Sequence, residues 1–249
     1  MQLRRLGAAV FAVAFALALP GAAWAEDRPA PTVDGLVRSM TSTLAAATSI
    51  SVHVEKMFDD VLVTGEKLQY SGAIDIALRR PDRFTVSYGD DLSAKEAWYD
   101  GARLVLYDPR VGVYGELPAA GTIDATLAAV AEKYDLRMPL AGLLSSDAYA
   151  AYADRVLEAR YIGLHDVNGA AAHHILLADE SVQWQLWIDA GERALPLKLV
   201  VTALDEPGEP QSIFLFSDWN LAADLPDADF EPDVPDGAVR AAFLPRKGE

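Results

Sequence analysis

The chain has 249 residues, no cysteine, and a formal net charge of −16 from 37 acidic and 21 basic side chains. Without cysteine it has no disulfide, thiolate metal site, thiol nucleophile or sulfur-linked lipid, so stability must come from a packed core. The acidic balance argues against nucleic acid, which clustered lysine and arginine hold, and it repels anionic membrane surfaces.

The first residues, MQLRRLGAAVFAVAFALALPGAAWA, place Arg4 and Arg5 before an apolar run from Leu6 to Leu19, then Pro20, Gly21 and Ala23-Trp24-Ala25. A run of about 14 residues falls short of the roughly 18–20 that span a bilayer, and an Ala-x-Ala site follows it. This predicts a secretory signal peptide cleaved after Ala25. Cleavage removes 25 of 249 residues, leaving 224, and takes two arginines and no acid, moving the charge from −16 to −18. The remainder, 26–249, suits one domain.

After the leader EDRPAPT, Val33, Leu36, Val37, Met40 and Leu44 recur at steps of three and four, which predicts an amphipathic helix with Thr32 or Asp34 at its start. From Ser49 the period shifts to two. SISVHVEKM, EKLQYSGAIDIAL, RFTVSYG, EAWYDGARLVLYDP and VGVYGEL read as antiparallel strands, with Asp100-Gly101 as a hairpin turn and Asp108-Pro109-Arg110 as a looser one. A helical insert over about 122–153 interrupts them. Its first helix has Ile123, Leu127, Val130, Ala131 and Tyr134 on one stripe behind a Thr122 cap; Pro139 fits the first turn of PLAGLL, and Ser146 or Asp147 starts another. Strands resume with LEARYIGLHDV, a turn at Asn168-Gly169, AAAHHILLA, VQWQLWID, LPLKLVVTAL and SIFLFSDWNL. The proline-punctuated FEPDVPDGAVRAAF is expected at a sheet edge. The order, a helix, about five strands, a helical insert and about five more strands, predicts α+β with one large antiparallel sheet.

Several strands are apolar on both faces. Phe214 and Phe216 oppose Ile213 and Leu215; Leu104 and Leu106 oppose Val105 and Tyr107. Such a sheet must be covered twice, by helices on one side and by curling, a second layer or a ligand on the other. A packed barrel and a cavity partly closed by Met138, Leu140, Leu143 and Leu144 both satisfy the pattern. In VQWQLWID, alternation puts Trp184, Leu186 and Ile188 on the apolar side and Trp187 on the other.

Catalytic signals are weak. No zinc-protease, phosphate-loop, dinucleotide or nucleophile-elbow motif occurs. His173 and His174 are neighbours on one strand and point to opposite faces, while His53 and His165 stand alone. Acid pairs such as Asp59-Asp60 and Asp90-Asp91 fall in turns, where carboxylates stay solvated. The scarce basic residues say more: ALRRPDRF sets Arg79, Arg80 and Arg83 around Pro81, beside Phe84.

RRPDRF, WYDGARLVLYDPRVGVY, PLAGLL, QLWIDAGERALPLKLVV and FEPDVPDGA together resemble the LolA-like periplasmic lipoprotein-carrier superfamily, and within it a family of predicted periplasmic proteins of unknown function. The resemblance spans the mature chain. It implies α+β architecture: a strongly curved, incomplete antiparallel β-barrel of about 10–11 strands with helices covering the concave face. It also implies a soluble, non-catalytic periplasmic carrier or chaperone, monomeric and without cofactor, that shields lipid or lipoprotein acyl chains and exchanges them with a membrane-bound donor or acceptor protein. The arginine that holds the lid shut in the carriers matches Arg80. Candidate cavity residues are Phe84, Trp98, Leu106, Met138, Leu143, Leu144, Trp184, Leu186, Leu199 and Phe216. Relatives with this architecture also include envelope-stress sensors that bind a regulatory protein, which is the alternative function. The insert is longer than the carriers lead one to expect.

Overall fold

The computed structural model describes residues 31–245 except 120, 137 and 139. The expected signal peptide and the first-turn role of Pro139 lie outside the described residues.

Helix α1 (Val33–Ala46) opens the fold. The Thr32 hydroxyl accepts from the Gly35 amide at 3.1 Å, satisfying a donor that the first turn leaves free. Leu36, Val37, Met40 and Leu44, the expected stripe, are buried. Six strands follow as a meander: β1 (Ser49–Val61), β2 (Lys67–Arg79), β3 (Arg83–Asp90), β4 (Ala94–Tyr99), β5 (Arg103–Asp108) and β6 (Val113–Pro118). The insert folds as α2 (Ile123–Tyr134), α3 (Ala141–Leu144) and α4 (Ala148–Arg155). Strands β7 (Glu158–Val167), β8 (Ala170–Ala178), β9 (Val182–Asp189), β10 (Pro196–Ala203) and β11 (Gln211–Asn220) precede a short 3-10 turn at Asp227–Phe230 and the two-residue β12 (Val239–Arg240).

All twelve strands form one curved sheet in the order β12-β6-β5-β4-β3-β2-β1-β11-β10-β9-β8-β7. The meander β1–β6 runs outward from the middle, and β7–β11 run inward until β11 pairs with β1. Neighbours are antiparallel except β12, which lies parallel to β6. It is this extra edge strand, from the proline-punctuated tail, that takes the total past the expected ten or eleven. β12 and β7 remain the two ends, so the barrel is open.

Local chemistry sets the turns. The Asp100 carboxylate accepts from the amides of Ala102 and Arg103 at 2.9 and 2.8 Å. Asn168 and Gly169 both have positive φ, 52° and 86°, the geometry of a two-residue turn that follows strand twist.

The two sheet faces have different covers. Val54 pairs with Ile74 on one side and Phe216 on the other, and this concave face joins α1 and the insert in the main core. On the convex face, Trp98, Val105 and Tyr107 form a separate buried cluster under Tyr114, Val234 and Ala238. The C-terminal tail is therefore the second cover that a two-sided apolar sheet requires. In α2, Thr122 caps as expected, accepting from the Ala125 amide at 3.2 Å. Ile123, Thr126 and Val130 are its buried residues, while Leu127 and Tyr134 pack at the rim of the core.

Candidate functional site

Between α1, the insert and the C-terminal half of the sheet lies a cavity of about 370 Å³. Its floor is two transverse rows set by strand register. Leu177, Trp184 and Val201 align across β8, β9 and β10, and Leu186, Leu199 and Phe214 align across β9, β10 and β11. Val37 and Met40 of α1, Leu140 and Leu143 of the insert, and Tyr152 of α4 complete the roof. Thr41 also faces this space, but its hydroxyl donates to the Val37 carbonyl at 2.9 Å, so it adds little polarity. Such a surface gains from removing apolar groups from water and offers few bonds to a polar ligand.

Arg155 is the charged group at the rim. Its Nε donates to an Asp179 oxygen at 2.5 Å, and its Cζ stands 4.7 Å from the centre of the Trp184 ring. Asp179 also accepts from the Ser181 and Val182 amides at 2.9 and 2.6 Å. The arginine bond first, and these amides with it, hold the Asp179 carboxyl down to about 2. Tyr149 ties α4 to α1: Arg38 Nη2 donates to its hydroxyl at 2.5 Å, and that hydroxyl donates to Asp34.

Arg80 occupies the turn after β2. Its Nη2 donates to the Leu144 carbonyl at the end of α3 at 2.8 Å and lies 3.5 Å from the Leu44 carbonyl of α1. Its Nε is buried and has no hydrogen-bond partner among the described residues. Burial lowers its pKa from the usual arginine value, and Asp124 opposes that fall. The neighbouring Pro81 carbonyl accepts the Ile123 amide at 2.9 Å, so one turn anchors the start of α2 and the end of α3.

The expected cavity residues separate into several places. Leu143, Trp184, Leu186 and Leu199 line the main cavity. Phe84, Met138 and Leu144 meet around a smaller space of about 40 Å³ beneath α2 and α3. Leu106 borders a third space, about 230 Å³, with Leu136 and Phe243. Phe216 is buried on the concave face, its ring 5.8 Å from that of Trp219, and its strand neighbour Phe214 lines the cavity instead. Trp98 requires a correction. Phe84 pairs with Tyr99, so Trp98 points to the convex face and fills the cluster under the tail. Val201 and Phe214 were missed although alternation from Leu199 and Phe216 in their own strands reaches them, while Leu177 joins the floor through the cross-strand register that pairs it with Trp184; nothing local singled out Arg155 or Tyr152.

His165 is not isolated as expected. Its Nδ1 is 3.2 Å from Nδ1 of His174, which stacks on Trp187 at 3.9 Å between ring centres on the convex face. His53 Nδ1 is 2.6 Å from an Asp75 oxygen, and this bond raises the His53 pKa from its usual value. Among the described residues no cluster of three or more histidine, aspartate or glutamate side chains is placed to hold a metal ion, and no helix is long and apolar enough to cross a membrane.

The class of fold is thus α+β, an open, curved antiparallel barrel with helices across its concave face. Within that class the chain belongs to the family described as predicted periplasmic protein (DUF2092), whose model matches residues 34–244. The fold is similar to that of an uncharacterised conserved protein from Thermus thermophilus, at TM-score 0.50 and 11% identity over 83% of this chain and 96% of that one. LprF from Mycobacterium bovis is similar at TM-score 0.45 and 14% identity, over 83% and 97% of the two chains. A LolA superfamily protein from Nitrosomonas europaea is similar at TM-score 0.32 and 11% identity, over 82% and 99%. No curated protein matches the chain.

Proposed function

We propose that the protein is a non-catalytic periplasmic binding protein that shields the acyl chains of a lipid or lipoprotein between its sheet and helical roof. The observation that carries this reading is the cavity of about 370 Å³, apolar on floor and roof, with its charged arginine at the rim. Its volume lies within the roughly 300–1,000 Å³ of small-molecule sites. At about 0.8 kcal/mol per methylene, burying about ten methylenes is worth about 8 kcal/mol gross. Reversible carriage needs an opposing cost, and opening the roof supplies it. In this reading Arg80 is the latch, because it ties the insert to the sheet turn beside α1.

Native mass spectrometry of protein purified from its own cell envelope, with displacement of a fluorescent fatty acid, tests the proposal. Copurifying lipid and saturable binding are expected. Leu199→Asp, which puts a charge on the cavity floor, is expected to abolish binding while the circular dichroism spectrum stays unchanged. A ligand-free protein that binds no fatty acid would overturn the reading.

One observation favours a second reading, a sensor that binds a regulatory protein. The edge strand β7 and the residue before it expose Leu157, Ile162 and Leu164 at 72, 43 and 57% of their surface. An apolar edge invites strand addition by a partner. A stoichiometric protein partner without copurifying lipid, lost on Leu164→Lys, is the result that would favour it.

A further inference from the structure

The apolar floor of the cavity continues past Phe214 into an unusual neighbour. Phe214 pairs with Lys56 of β1, and Ser212 pairs with Phe58, so both floor rows extend onto that strand. Lys56 lies two residues from Val54, a fully buried residue of the main core, and therefore on the same concave face. A lysine ordinarily keeps its ammonium in water while its stem covers apolar surface. Here the side chain is half-buried and turned inward. Its Nζ donates to the Tyr88 hydroxyl at 3.2 Å and stands 4.2 and 5.0 Å from the ring centres of Phe58 and Tyr88. Tyr70 packs on Phe58 with ring centres 5.7 Å apart.

The ammonium has unused capacity. It carries three donors, and among the described residues it makes that single hydrogen bond and no ion pair. The nearest anion acts through the tyrosine: the Tyr88 hydroxyl donates to Asp90, whose other oxygen accepts from the Leu92 and Ser93 amides at 2.7 and 2.6 Å. Tyr88 thus orients the lysine without neutralising it directly. Burial lowers the Lys56 pKa below the usual lysine value, with Asp90 opposing, as expected for a cation held from water without a direct counter-ion.

We propose that Lys56 is a head-group site, so the ligand is an anionic amphiphile whose carboxylate or phosphate meets Nζ while its chain runs over Phe214, Leu199 and Leu186. The inference rests on the acyl-shielding reading and narrows its ligand class. A charge-assisted bond at a partly dry site is worth enough to discriminate an acid from a neutral analogue of equal length.

The test is displacement of a fluorescent fatty acid from the mature chain by a long-chain fatty acid, the alcohol of equal length, lysophosphatidic acid and inorganic phosphate. The acidic lipids are expected to bind about ten-fold or more tighter than the alcohol, and inorganic phosphate is expected not to compete. Whichever of the two acids binds tighter identifies carboxylate or phosphate as the head group. Lys56→Met should remove the preference by weakening the acids and sparing the alcohol; Lys56→Arg should retain it. A preference unchanged in Lys56→Met, or equal binding of acid and alcohol to the wild type, overturns the head-group site and leaves acyl shielding standing. Competition by inorganic phosphate alone would make this a free-anion site and overturn the amphiphile. Binding of none of the lipids overturns both readings.

Discussion

Arg80→Met separates a latch from an ordinary core residue. Methionine keeps an unbranched apolar stem but loses the bonds to the Leu144 and Leu44 carbonyls, at 2.8 and 3.5 Å. A hydrogen bond involving a charged group contributes about 1.5–3 kcal/mol. Against this, the substitution also removes a buried guanidinium whose Nε has no partner among the described residues, and an unsatisfied buried donor costs about 1–3 kcal/mol. The two effects nearly offset in the global balance, so overall stability is expected to change by less than about 2 kcal/mol. Local opening of α3 is different, because there only the lost tie matters. The Leu143 and Leu144 amides, which donate to the Leu140 carbonyl at 3.0 and 3.2 Å, should exchange faster. The expected acceleration is about ten- to 150-fold, the equivalent of about 1.5–3 kcal/mol. Hydrogen exchange read by mass spectrometry reports it, with β1 and β2 as the internal reference. Unchanged exchange in α3, or acceleration of the whole sheet in proportion, would refute the latch.

The tryptophans should divide by face. Trp98→Ala is expected to cost about 3–5 kcal/mol in denaturant unfolding, as large-to-small changes in a packed cluster do, and to leave fatty-acid affinity unchanged. Trp184→Ala should instead weaken fatty-acid binding at least about ten-fold, with the smaller stability loss of a half-buried side chain. Asp179 makes a pH prediction. Its folded pKa of about 2 lies below its unfolded value, so its contribution is full above about pH 4 and disappears as pH falls through about 2. The shift corresponds to about 2 kcal/mol gross, which the 55% exposure of the Arg155 side chain reduces to about 1 kcal/mol. The stability gap between wild type and Asp179→Asn should therefore be about 1 kcal/mol near neutrality and close by about pH 2. A gap independent of pH would show that the ion pair does not stabilise the fold.

Strand alternation carried most of what the sequence shows about the site, and it failed where the deciding partner is distant. Within VQWQLWID it assigned Trp184 and Trp187 to opposite faces, and the cavity and the stack on His174 occupy those faces. Beside the Asp100-Gly101 turn, Trp98 and Tyr99 are both large and aromatic, so alternation separates them without saying which faces inward. That choice belongs to Val234 and Ala238, more than a hundred residues on, which cover Trp98. Lys56 fails for another reason. Alternation from Val52 and Val54 points it inward, but a lysine's charge argues for the surface; Tyr88, 32 residues away, resolves the conflict. The insert is the extreme case. Four residues cannot define a helix by periodicity, and among the described residues no side chain caps the start of α3, yet Arg80 reaches its last carbonyl from 64 residues before it. The strands that form the floor are thus written locally in apolar alternation. The roof shares the apolar core through α1 and the insert, but its ties to the turn after β2 and between α4 and α1 are single polar contacts across long separations, at Arg80 and Tyr149. The parts of the site hardest to read from sequence are therefore the parts whose opening would admit and release a ligand.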